Sequence, residues 1–146
     1  MQKRESWRHY PRWRKAAQNE NLKAAFEKHR DETEGQVERL NQVFAIIDKK
    51  PQGKTCAAII GIIEEGAEIM QEYKGSPALD AGLLAAAQAV EHYEISRYGT
   101  LRTWAEELGL DNAASLLQET LDEEKATDKI LTQIAETAVN QEAEAA

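Results

Sequence analysis

Read from Leu22 at alternating steps of four and three, one helical face carries Leu22, Phe26, His29, Thr33, Gln36, Leu40, Val43 and Ile47. Its ends are apolar and its middle is polar, and Glu32 lies beside it, three residues from His29 and four from Gln36. A second face reads Leu84, Ala87, Glu91, Glu94, Tyr98, Leu101, Ala105 and Leu108, again with a polar centre. A third reads Ala114, Leu117, Leu121, Glu124, Asp128, Leu131, Ala135 and Ala138, with Glu123 and Thr127 beside the acidic pair. Residues at these spacings share one side of a helix. Acids therefore sit where core residues belong. Several carboxylates buried together repel one another and lose hydration, so they persist only when neutralised. Hard metal cations accept carboxylate oxygens in this way, as in the di-iron and di-manganese helical bundles. Arg30, Arg97 or Arg102 pairing with the acids is the structural alternative, as is a solvated surface position for any single acid.

The elements that must position these clusters are helices. The 146-residue chain is rich in Ala, Glu, Gln, Leu and Lys and contains only eight Gly and three Pro. Turn signals fall at Gln18-Asn19, Asp48 to Gly53, Gly75-Ser76-Pro77 and Gly109-Leu110-Asp111, the last read as a stop followed by an N-cap. They divide the chain into helical segments at about 3–17, 19–48, 55–74, 77–108 and 111–139, with a frayed tail over 140–146. A helix of 30 residues spans roughly 45 Å, and helices this long need neighbours along their length. The shorter segment 55–74 suits a crossover between two helix pairs. The polar clusters centre near residues 33, 93 and 125, each at the midpoint of its helix. Midpoints of antiparallel neighbours lie at one level, so the clusters are expected to form one site. The expectation is a single all-α domain over 1–146, built as a four-helix bundle with an extra crossover helix.

Charge narrows the function. The net charge is -8, which disfavours binding of nucleic acid or an anionic membrane across the whole surface. Residues 1–15 run against this trend, with Lys3, Arg4, Arg8, Arg12, Arg14 and Lys15 against Glu5 alone. No segment has the apolar length of a membrane span, and the N-terminus lacks the apolar centre of a signal peptide. The single Cys56 permits no intrachain disulfide, which suits a reducing cytoplasm, and it reads as a small core residue. Neither a Gly-rich phosphate loop nor a CxxC pair is present.

The stretches AFEKHRDETEGQVERLNQVF, AAIIGIIEEGAEIM, DAGLLAAAQAVEHYEISRYGTL and LLQETLDEEKATDKIL resemble the bacterial YciE/YciF stress-protein family, over about residues 15–139. That resemblance implies a ferritin-like fold and a stress-response role. By matching position it makes Glu32 the ligand of its helix and places Gln36 where a histidine is usual. Glu91 becomes the next ligand, with Glu94 and Tyr98 nearby. Glu123 or Glu124 follows, with Thr127 or Asp128 in a second histidine position. The implied site is oxygen-rich, which favours iron or manganese (calcium and magnesium also) over zinc. His29 is a substitute ligand or a hydrogen-bonded core residue, and His92, off the main stripe, reads as structural.

Residues 1–14 depart from the family pattern. HYPRWRKAA stands where a long acidic helix ends, Glu5 is its only acid, and Pro11 is expected to break it. The first helix is thus shortened or altered. Trp7, Tyr10 and Trp13 are then expected to pack across the gap, or a second subunit to fill it. Two functions remain in competition. One is a di-metal carboxylate protein reacting with oxygen or peroxide. The other is a non-catalytic, dimeric stress or structural protein that has lost the chemistry. A homodimer is expected in either case, with no nucleic-acid or membrane partner.

Overall fold

A computed structural model of the chain describes residues 10–145; Glu5, Trp7 and the first basic residues lie outside them. The described residues form helices α1 (Tyr10–Ala16), α2 (Glu20–Ile46), α3 (Ala57–Glu72), α4 (Leu79–Glu107) and α5 (Asp111–Ile134). A π-helical turn, Ala135–Val139, carries α5 on into α6 (Asn140–Glu144). The bundle is built by α4 lying along α5, α5 along α2, and α1 on α2, while α3 covers α4 as a crossover. Among the described residues no helix is long and apolar enough to cross a membrane.

The turn residues act as their chemistry dictates. Asn19 caps α2, its side chain accepting from the backbone N–H groups of Asn21 and Leu22. The buried Asp80 of α4 accepts from the backbone N–H groups of Gln18 and Asn19 at 2.6–3.0 Å, tying the start of α2 to the start of α4. Gly75 and Gly109 take φ of 78° and 68°, the left-handed stop that a Cβ would strain. The expected cap at Asp111 is corrected: Asp111 is the first helical residue and Leu110 precedes it without a side-chain cap. Asp111 instead places its charge in the first turn, where the helix dipole favours an anion.

Two further expectations change. Pro11 lies within α1 rather than breaking it, because its missing N–H falls in the first turn of the described helix. The segment 140–146 is not wholly frayed, since α6 reaches Glu144. The π turn before it keeps Ala135 and Val139 both on the core side, with Val139 fully buried.

Packing divides at the level of the polar clusters. One apolar cluster holds Trp13, Leu22, Phe26, Leu83, Leu84 and Val139; the other holds Tyr98, Ala105, Ala113, Leu117 and Leu121. Trp13 spans α2 and α3, stacking near Phe26 at 6.1 Å and facing Gly66. A Cβ on Gly66 would lie 2.7 Å from Trp13 Cζ2, so only glycine lets α3 come this close. Of the seven described residues of α1, Tyr10 and Trp13 are buried. Along one face of α4, Leu84 and Ala87 are 3% and 0% exposed, whereas Leu101 and Leu108 at the far end are 41% and 73% exposed.

Candidate metal centre

The polar layer is assembled from α2, α4 and α5. α2 supplies His29; α4 supplies Glu91 and Glu94, one turn apart; α5 supplies Glu124. All four are at most 1% exposed, and each offers a ligand atom within 4.8 Å of those of the others. Trans ligands at about 2.1 Å from a metal are separated by about 4.2 Å, so the set is close to a coordination shell already. The expectation of one shared site at mid-height is met by these residues.

His29 has one partner on its own helix and one on α5. Its backbone carbonyl accepts from the Thr33 hydroxyl at 2.8 Å, and its Nδ1 lies 3.2 Å from the Thr127 hydroxyl. That leaves Nε2 pointing at the carboxylates, 3.3 Å from Glu91 Oε1 and 3.7 Å from Glu124 Oε2, buried and without a hydrogen-bond partner. Buried nitrogens of this kind ordinarily have a partner. A metal ion is one that also neutralises the acids, and three carboxylates with one imidazole are a donor set that iron or manganese accepts. The residues present fit the metal.

Tyr10 of α1 lies against the site. Its hydroxyl donates to Glu91 Oε1 at 2.9 Å, and its ring meets His29 edge-on at 4.9 Å. Burial, and then the charges of Glu91, Glu94 and Glu124, push the phenol well above its usual range. Trp13 and Phe26 stand behind it and keep water away. Tyr10 and Trp13 are both buried, and Trp7 lies outside the described residues. As a contributor to the site, Tyr10 was not legible in the sequence, because its partner Glu91 lies 81 residues away.

The other sequence-derived candidates are placed apart from the four. Glu32 is partly exposed at the rim, with Oε2 3.8 Å from His29 Nδ1 and Oε1 paired to Lys28. The His29 imidazole, with Lys28, holds its carboxyl below the usual value despite partial burial. Glu123 faces away and is clamped by Arg39 at 2.8–3.0 Å, with Gln36 Nε2 donating at 3.0 Å. Gln36 is fully buried, but as a partner of Glu123. Asp128 accepts from Gln88 at 3.1 Å and lies 3.0 Å from His92, both of them residues of α4, and stands outside the group of four. Tyr98 is buried one turn beyond Glu94, in the second apolar cluster. The arginines considered as neutralising partners are engaged with other groups: Arg30 with Asp31, Arg102 with Glu106, and Arg97 over the Tyr93 ring at 4.9 Å.

Comparison with known proteins agrees with this architecture. Residues 2–144 match the family model described as Domain of unknown function (DUF892). The expectation that residues 1–14 depart from the family pattern is corrected by this match. Protein YciF of Escherichia coli (strain K12) is 50% identical over 131 residues, covering 89% of this chain and 79% of that protein. The crystal structure of the E. coli stress protein YciF superposes with a TM-score of 0.90 at 46% identity, over 95% of this chain and 88% of that one. The structure of YcfI from Rhodopseudomonas palustris gives a TM-score of 0.87 at 44% identity, over 90% and 83% of the two chains.

Proposed function

The chain belongs to the DUF892 family, and from that premise we propose that it is a ferritin-like stress-response protein with a carboxylate-bound iron or manganese centre in its bundle core. The observation that carries this reading is the buried set His29, Glu91, Glu94 and Glu124, drawn from three helices. These four hold one ion. A second, giving a di-metal centre, draws on Glu32, whose buried Oε2 has no hydrogen-bond partner. Bound there, iron or manganese supplies one-electron chemistry toward oxygen or peroxide.

The protein's own part is to bind, orient and exclude water. Glu91, Glu94 and Glu124 supply anionic oxygens; the Thr127 hydroxyl at His29 Nδ1 fixes the orientation of the ring, the kind of support that metal-ligating histidines need. Tyr10 holds a proton at Glu91 Oε1. The shell of Phe26, Trp13 and Leu22 keeps the layer dry, which strengthens every charge interaction inside it. The exposed Leu101, Trp104 and Leu108 at the far end of α4 support the homodimer, whose second copy covers them.

The test is elemental analysis after loading with iron or manganese and desalting, together with the metal-induced shift in melting temperature. One to two ions per chain, lost in Glu91→Gln and Glu94→Gln, is the expected result. Metal content at buffer level with an unchanged melting curve defeats the proposal and leaves the non-catalytic reading.

A further inference from the structure

The geometry points to Tyr10 as a direct oxygen ligand of the metal, beside His29, Glu91, Glu94 and Glu124; this rests on the metal reading above. The phenol oxygen lies 2.9 Å from Glu91 Oε1. Adjacent oxygens around a metal at about 2.1 Å are about 3 Å apart, so that spacing is already the edge of an octahedron. The residue cannot swing out of the way. Its ring is 2% exposed and is held edge-on by Trp13 at 5.7 Å and by His29 at 4.9 Å, with Phe26 tilted against it at 6.0 Å. Its hydroxyl therefore faces Glu91.

A trivalent cation in the set changes what that hydroxyl does. Were a trivalent cation held there, the Tyr10 O–H bond would break as the phenolate oxygen became a ligand, and the proton would be released to the surrounding buffer. No electron is transferred in this step. Phenolate is a hard oxygen donor that favours ferric iron, so Tyr10 biases the centre toward the oxidised state and toward iron.

The experiment is visible absorption and resonance Raman spectroscopy of the ferric-loaded protein, beside its iron content. The expected result is a phenolate-to-iron charge-transfer band with phenolate ring modes, both lost in Tyr10→Phe while iron stays bound. The chain has four tyrosines. A Y73F/Y93F/Y98F variant leaves Tyr10 alone and is expected to keep the band, which keeps the test valid even where Tyr10→Phe folds poorly. Iron bound without the band, or a band that survives Tyr10→Phe or disappears in Y73F/Y93F/Y98F, overturns this assignment and leaves the metal centre standing. Absence of bound iron in the unaltered protein overturns the metal reading itself.

Discussion

Replacing Glu124 by glutamine should shift stability in opposite directions with and without metal. The substitution keeps shape and removes one charge from a layer in which Glu91, Glu94 and Glu124 are fully buried and their ligand atoms lie within 4.8 Å. At that separation and an effective dielectric of about 20, two ionised carboxylates repel by about 3 kcal/mol. Proton sharing among the acids offsets part of this. Metal-free Glu124→Gln should therefore be more stable than the unaltered protein by about 1–3 kcal/mol, or about 3–10 °C in melting temperature. With metal the order reverses. An ion at a hundred times its Kd stabilises the intact site by about 2.7 kcal/mol, and the variant, short of one ligand, should gain less than about 1 kcal/mol. Calorimetry of chelator-treated and manganese-loaded samples at neutral pH measures both. If metal-free Glu124→Gln is the weaker protein by more than about 1 kcal/mol and manganese shifts both equally, the carboxylates are structurally paired and the reasoning fails.

Gly66→Ala drives a Cβ to 2.7 Å from the Trp13 ring and should cost about 1–3 kcal/mol in urea unfolding, whereas Gly35→Ala, with nothing within 4 Å, should gain about 0.5–1 kcal/mol. Tyr10→Phe removes the hydroxyl that donates to buried Glu91, and metal-free protein should lose about 1.5–3 kcal/mol in the same assay. The Glu32 carboxyl sits below its ordinary 4.5, so its contribution is present above that pH and is lost as pH falls through the lower folded value. Glu32→Gln should accordingly be less stable than the unaltered protein at pH 6, with the two acid-unfolding curves converging toward pH 3. Burial pushes the Cys56 thiol up, but the Tyr93 hydroxyl at 3.1 Å, the backbone N–H groups of Ile59 and Ala58, and Arg97 together bring it below its usual value. Its alkylation rate should have a midpoint below that of a simple thiol, moving upward in Tyr93→Phe.

The helices were legible in the sequence because their causes are local. Asn19, Gly75 and Gly109 act through their own turns, and the stripe from Leu22 to Gln36 is buried as its spacing requires. The mid-height acids on α4 were legible for the same reason, since Glu91 and Glu94 lie on the apolar face itself. On α5 the choice between Glu123 and Glu124 was not. Consecutive helical residues point about 100° apart, and a broad core face can admit either. Packing against Arg39 and Gln36 of α2 drew Glu123 aside and left Glu124 inward. The same limit made Glu32 the expected ligand of α2 and His29 a substitute, whereas the packing of α2 puts the imidazole inside and the carboxylate at the rim. Tyr10 depended on tertiary structure altogether, because its partner Glu91 is 81 residues away and nothing in its local sequence announces it. Periodicity, then, determined which faces are buried and at what height they turn polar; only the packed bundle decided which atoms of those faces meet, because contact depends on helix rotation, which a one-dimensional pattern does not contain.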